Sequence, residues 1–254
     1  MTDLTGRVCV VTGVLGRLGP VWAAALVEAG AKVVGIDRAD GVVPAGVELM
    51  HGDVTDRASL EGAREELVSR HGHADILVNS AGVDQPPGAD GATWRVEDVP
   101  AADFAHTIEV NLTGAFTSTQ VFGAPMRDRG RGAIVNIGSL YASVAPEPAF
   151  YDHIPTDPPF LKPPAYGASK AGLINLTRYF ARLWGSSGVR VNALSPGGVR
   201  GGQDPTFTAK YCSRVPLGRM AEPGDLAEPL LFLASDASAY VTGHELRVDG
   251  GFTS

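Results

Sequence analysis

The chain reads as a doubly wound α/β fold, a parallel seven-stranded sheet flanked by helices. Three observations predict it. Seven short β-branched runs recur along the 254 residues, most of them continuously apolar, as strands covered on both faces are. Segments of helical length and period separate them, the alternation a parallel sheet requires. A glycine-rich turn follows the first run, at the strand end where open sheets of this kind bind ligands.

Taken in order, the strands are 7–13 (RVCVVTG), 32–37 (KVVGID), 47–54 (VELMHGDV), 75–82 (DILVNSAG), 132–139 (GAIVNIGS), 189–196 (VRVNALSP) and 244–251 (HELRVDGG). Helices are expected at LGPVWAAALVEAGA, DRASLEGAREELVSRHG, AADFAHTIEVNLTGAFTSTQVFGAPMRDRG and from 164 to 184, with Gly30, Gly72, Gly130 and Gly188 closing them. Only RADGVVPAG joins Asp37 to Val47, which is too short and too rich in Gly and Pro for a crossover helix. One helix of the first half is therefore missing or reduced to a turn. Long loops follow strand ends at 83–98, 140–164 and 198–214 and are expected to wall a substrate pocket. No linker or repeat divides 1–254, so a single domain is expected, with an insertion at about 140–164.

Composition narrows the partners. The chain is 44% hydrophobic and 19% charged, ordinary for a globular protein. A net charge of −7 without a basic run argues against nucleic acid. Cys9 and Cys212 form neither a disulfide framework nor a zinc motif. The N-terminus has no apolar signal core, and the richest apolar stretch is broken by Glu28 and Lys32, so no membrane span and a cytoplasmic location are expected.

TGVLGRLG (12–19) sits between the first strand and the first helix. Gly13, Gly16 and Gly19 permit a tight turn and close approach of a pyrophosphate, to which the helix N-terminus offers free N–H groups. Asp37 ends the second strand, 18 residues after Gly19. There an acid binds a ribose 2′-hydroxyl and repels a 2′-phosphate, which favours NAD. Arg17 and Arg38 are placed to meet a 2′-phosphate and keep NADP open.

Tyr166 and Lys170 lie at i and i+4, on one helix face. A phenol titrates at about 10, and a neighbouring cation favours phenolate. Bringing it to about 7 corresponds to roughly 4 kcal/mol and makes an acid/base usable near neutrality.

Together these motifs resemble the short-chain dehydrogenases/reductases, in their short single-domain branch. The resemblance spans nearly the whole chain. It rests on TGVLGRLG, Asp37, GDV (52–54), NSAG (79–82), Asn111 in EVNLTG, Ser139 in NIGSLYA, YGASK, SPGG (195–198) and VDGG (248–251). It implies a Rossmann fold and an NAD(H)-dependent oxidoreductase acting on a small-molecule alcohol or ketone. Tyr166 would exchange the proton with substrate, Lys170 would tune Tyr166 and hold the nicotinamide ribose, Ser139 would hold the substrate oxygen, and Asn111 would position a water relay. Gly13, Gly16, Arg17, Leu18 and Gly19 would hold the pyrophosphate turn, and Asp53 and Val54 the adenine. Asn79, Ala81 and Gly82 would line the adenosine side, and Pro196, Gly197 and Val199 would flank the nicotinamide. The helix 164–184, apolar on several faces, is expected to be buried on both sides, and the family pairs it between subunits, implying a homodimer or homotetramer.

Three departures stand out. Arg17 occupies the slot of the usual middle glycine. Gly201 stands where the family often has a threonine against the cofactor amide. Ser139 and Tyr166 lie more than twice the usual dozen residues apart, and Tyr151 has the usual spacing. Tyr151 has Pro155 rather than lysine at i+4, and prolines at 155, 158, 159, 163 and 164 forbid a continuous helix there, so Tyr166 is the catalytic choice. The insertion then supplies substrate contacts, with Tyr151 and His153 the candidates beside Phe150 and Phe160. Asp84, Gln85, His153 and Arg200 lean towards a polar substrate, whereas Trp94 and Phe160 lean the other way. A sugar-type dehydratase or epimerase with tightly held NAD, and a non-catalytic dinucleotide-binding regulator, are the alternatives.

Overall fold

A computed structural model describes residues 2–84 and 94–254. Seven strands form one parallel sheet: β1 (Val8–Thr12), β2 (Lys32–Asp37), β3 (Val47–His51), β4 (Ile76–Asn79), β5 (Gly132–Ile137), β6 (Val189–Pro196) and β7 (Glu245–Val248). Their order is β3-β2-β1-β4-β5-β6-β7. The order reverses between β1 and β4, where Thr12 is in register with Asn79. A crevice opens beyond the carboxyl ends of strands at such a reversal. Every residue of β1 and β4 is buried, which is why both read as unbroken apolar runs.

Among the described residues eight α segments cover the sheet: α1 (Gly19–Glu28), α2 (Arg57–His71), α3 (Ala101–Ile108), α4 (Gly114–Ser118), α5 (Ala124–Asp128), α6 (Pro164–Trp184), α7 (Pro205–Cys212) and α8 (Ala227–Ala234). Segments α3 to α5 are one helical path, joined by π turns at Glu109–Thr113 and Thr119–Gly123. The path matches the single long helix expected there, and π turns of this kind concentrate at functional sites. Residues 38–46 hold no helix, as their length and Gly/Pro content predict. The four glycines expected at helix ends have φ between 71° and 89°.

The sheet divides the core. On one face Trp22 and Leu26 of α1 pack with Leu230 of α8 against Val11 and Val33. On the other, Leu60 and Leu67 of α2, Phe122 and Trp184 pack against Val10 and Ile36. Each such large side chain contributes about 1.5–3 kcal/mol on full burial. A third, aromatic cluster lies over the carboxyl ends of the strands, where Phe150 and Tyr151 of the insertion meet Tyr211, Val215 and Met220.

One expectation is corrected and one helix is added. The segment 198–214 is not a plain loop, because Asp204 accepts from the Phe207 N–H at 2.8 Å and Pro205 opens the first turn, starting α7. Helix α8 was not anticipated either; Glu222 and Asp225 form a capping box just before it. Within one chain α6 is buried on one side only. Leu173, Ile174, Phe180 and Trp184 face the sheet, while Tyr179 and Leu183 remain 59% and 53% exposed. Residues 85–93, which include Gln85 and most of the loop expected at 83–98, lie outside the described residues. Among the described residues no helix is long and apolar enough to cross a membrane.

Candidate active site

A cleft of about 710 Å³ lies at the reversal of strand order, running from the β1–α1 turn to the insertion and α7. At its first end, Gly13 has φ +67°, and a Cβ there would lie 2.6 Å from the Cα of Ala81. The turn can therefore lie against the β4 loop only with glycine at that place. Thr12, which motif reasoning passed over, fixes the same contact: its Oγ1 accepts from the N–H groups of Ser80 and Ala81, both at 3.2 Å. Asp37 turns its carboxylate back to the turn, accepting from Leu15 N–H at 3.0 Å and Ala39 N–H at 3.2 Å. Asp53 accepts from the Thr55 N–H at 2.8 Å, and that bond holds its carboxyl below the usual range.

Arg17 crosses the cleft. Its guanidinium donates to the Val199 carbonyl at 2.5 Å, and a Cβ at residue 201 would overlap it. Two of the departures seen in the sequence are thus one feature. Without a side chain, Gly201 leaves the space that Arg17 fills.

The reacting groups come from three places. Ser139 stands two residues past β5, its hydroxyl close enough to the Tyr166 phenol to favour the phenolate. Lys170, one turn along α6, puts Nζ 5.7 Å from the centre of the Tyr166 ring and donates to the Ile137 carbonyl at 2.8 Å. Asn111 sits in the first π turn. It exchanges hydrogen bonds with the backbone of Val83 at 2.7 and 3.0 Å and donates to Ser169 Oγ at 3.1 Å, and Ser169 in turn bonds the Tyr166 carbonyl at 2.7 Å. The β4 loop is thereby tied to the first turns of α6.

Burial dominates the electrostatics. It pushes the Tyr166 phenol well above its ordinary value; the Asp84 charge adds to this and the Ser139 hydroxyl opposes it. Burial also brings the Lys170 ammonium down to about 8. In the chain alone the phenol therefore shifts opposite to the direction expected from Lys170 as a neighbour. Burial of the ring is the largest cause.

Most residues predicted for the site line this cleft, among them Leu18, Gly19, Val54, Gly82, Pro196 and Gly197. Two do not. Asn79 is buried beneath it, donating to Asn136 at 2.8 Å and Thr119 at 3.0 Å, so it joins β4 to β5 and the helical layer. His153 turns from the cleft to Asp204 at 2.9 Å, where it anchors the start of α7. Of the two tyrosines, Tyr166 lies with Ser139 and Lys170, while Tyr151 lines the outer cleft and packs on Phe160 and Phe207 at 5.0 and 5.4 Å. Sequence reasoning missed Tyr141, Lys162 and Phe207 in the lining. Phe207 and Tyr211, at i and i+4, were a legible apolar helix face.

A larger cavity of about 1010 Å³ opens elsewhere, beside Arg7, Arg131 and Arg190. Asp236 and the carbonyls of Leu233 and Ser235 engage those cations.

Comparison with known proteins fits this site. A family model described as enoyl-(acyl carrier protein) reductase matches residues 13–253. The chain is similar to D-threitol dehydrogenase of Mycolicibacterium smegmatis, 34% identical over 266 residues that cover 98% of this chain and 94% of the relative. Its fold is similar to a gluconate 5-dehydrogenase from Burkholderia cenocepacia in complex with NADP and tartrate (TM-score 0.86, 29% identity, 99% and 97% of the two chains). It is also similar to a short-chain dehydrogenase from Leptospira borgpetersenii with bound NAD+ (TM-score 0.88, 31% identity, 99% and 94%). With a match along almost its full length, the chain belongs to the short-chain dehydrogenase/reductase family and is an oxidoreductase acting on CH–OH groups.

Proposed function

We propose that this chain is an NAD-dependent dehydrogenase of a polyhydroxylated secondary alcohol, interconverting alcohol and ketone through Tyr166, Lys170, Ser139 and Asn111. The observation that carries the reading is the meeting of Ser139 and Lys170 on the Tyr166 phenol, in the same cleft as the glycine turn. The nicotinamide, when bound, supplies hydride acceptance or donation. The chain's own groups handle the oxygen and its proton. Ser139 holds the substrate oxygen, Tyr166 takes up or returns the proton, and the Lys170 ammonium stabilises the phenolate form. Asn111 braces the β4 loop and the start of α6 and positions a water relay behind Lys170.

Two features support NAD over NADP. The Asp37 carboxylate ends β2 in the cleft, where it favours a free 2′-hydroxyl. Arg17 faces Val199 on the far wall, which leaves Arg38 as the cation beside Asp53. Solved relatives contain either dinucleotide. The D-threitol dehydrogenase among its relatives supports a polyol as substrate. The same reading takes 1–254 as one domain, acting in the cytoplasm as a homodimer or homotetramer. Two free thiols and the exposed strip on α6 are consistent with it.

The test is a panel of secondary alcohols and polyols with NAD and NADP side by side. The expected outcome is NADH released in step with ketone, with kcat/KM for NAD about tenfold or more above that for NADP. Stronger use of NADP would remove the Asp37 assignment, and no turnover of any alcohol would remove the dehydrogenase reading. Tyr166→Phe should lower turnover by a factor on the order of 10²–10⁴ while NADH still binds, whereas Tyr151→Phe stays active. The reverse pattern would move the chemistry to Tyr151.

A further inference from the structure

Within the cleft, Lys162 and Asp84 form an ion pair that the roles given so far leave unused. Lys162 belongs to the insertion and stands two residues before α6; Asp84 belongs to the loop after β4. The ammonium donates to Asp84 Oδ2 at 2.5 Å and lies 5.5 Å from the centre of the Tyr166 ring, and the lysine side chain is only 8% exposed. Both residues line the cleft, and Tyr141 and Tyr151 line it as well.

Burying an ammonium beside the reacting phenol costs hydration that one carboxylate only partly offsets. Placed there, the pair presents complementary groups to whatever occupies the cleft. An ammonium has three N–H donors, and a carboxylate has several acceptor positions. A carbon chain with successive hydroxyls can satisfy both, each hydroxyl donating to Asp84 or accepting from Lys162. A monohydric alcohol leaves the pair without those partners. A sugar acid fits worse still. Its carboxylate would meet a lysine already neutralised and would lie next to the Asp84 charge, a like-charge contact that disfavours binding. That charge reaches three of the four tyrosines lining the pocket, Tyr141, Tyr151 and Tyr166. The rings of Tyr151 and Phe207 offer an apolar wall to the carbon backbone of the same ligand.

We propose that Lys162 and Asp84 are the specificity-determining residues of this enzyme, reading two hydroxyls beyond the reacting carbon of a neutral polyol and disfavouring sugar acids. This rests on the dehydrogenase reading above and deepens it.

The experiment measures kcat/KM with saturating NAD for three probes: a neutral tetritol or hexitol such as threitol or galactitol, the aldonate gluconate, and cyclohexanol. Wild type should prefer the polyol to both others. Lys162→Met and Asp84→Asn should each lower the polyol-to-cyclohexanol ratio by about tenfold or more, since each removes a charged group that a substrate hydroxyl would meet in the cleft. Asp84→Asn should also raise gluconate relative to the polyol. Should either variant misfold, deoxy-polyols test wild type directly. Removal of the hydroxyl one or two carbons from the oxidised centre should cost a similar factor. Equal losses on polyol and cyclohexanol in the variants, a wild-type preference for gluconate, or indifference to the missing hydroxyl would each overturn the inference while cyclohexanol oxidation left the dehydrogenase reading standing. No oxidation of any probe would overturn both.

Discussion

At the scale of single residues, Lys170 sets the response to pH. Burial brings its ammonium down to about 8, and burial also raises the Tyr166 phenol, because each site favours the uncharged form. At neutral pH the chain alone therefore holds Lys170 charged and Tyr166 protonated. Raising the pH discharges Lys170 first. The kcat/KM for NADH reports groups of the cofactor-free enzyme. It should be level on the acid side and fall about tenfold per unit above the lysine's value. In Lys170→Arg the guanidinium stays charged throughout, so the falling limb should disappear from that range even though overall activity is lower. A limb at the same pH in both proteins would assign the titration to another group. The pairing of Tyr166 with Lys170 was legible in the sequence because helical spacing alone brings i and i+4 together. The sense of the phenol's shift was not, since it depends on how deeply the fold buries the ring.

At the scale of elements, the insertion and α7 behave as one cover over the outer cleft. Glu147 meets Arg214 at 2.8 Å, Asp152 meets Lys210, and His153 meets Asp204, so two ion pairs and a hydrogen bond join the two segments. Exposed pairs of this kind contribute little singly. The buried rings contribute more. Phe150 packs on Phe207, Tyr211 and Phe252 with ring centres 5.8 to 6.2 Å apart. Phe150→Ala should cost about 3–5 kcal/mol and lower Tm by roughly 6 °C or more. It should raise the substrate KM several-fold with little change in NADH affinity, because the glycine turn lies at the other end of the cleft. Equal losses of substrate and NADH affinity, measured by steady-state kinetics and nucleotide fluorescence, would show that the cover also supports the nucleotide end. The strands and α6 were readable because burial on both faces, or on one stripe, imposes a period on the residues themselves. The cover was not. Its helix is eight residues long and sits among Gly and Pro, and its anchors pair across long stretches of chain, as His153 with Asp204 and Arg17 with Gly201 do. The same distance misled the reading of Asn79, whose partners Thr119 and Asn136 are brought beside it only by the sheet and its helical layer.

At the scale of the whole molecule, the outward side of α6 bears on assembly. Tyr179 and Leu183 are more than half exposed, and Phe116 of α4 lies beside Phe180 with ring centres 5.9 Å apart. These residues make a continuous apolar strip across two neighbouring helical segments, on a chain whose net charge of −7 otherwise favours solution. Covering a Leu or Tyr on both partners of a symmetric interface contributes about 1.5–3 kcal/mol per side chain. A carboxylate in the same place would have to be desolvated without a partner. Because a two-fold interface repeats each substitution, the penalty is applied twice. Tyr179→Glu combined with Leu183→Glu should therefore weaken association by several powers of ten, at about 1.4 kcal/mol for each. In light scattering the wild type should have the mass of two or four chains and the double variant a smaller mass. The variant should keep a cooperative melt, since both side chains point away from the sheet. A wild type with the mass of one chain would overturn the proposed assembly. An unchanged oligomer in the double variant would move the interface off α6, with the edge strand β7 and the exposed Phe232 of α8 the next surface to test.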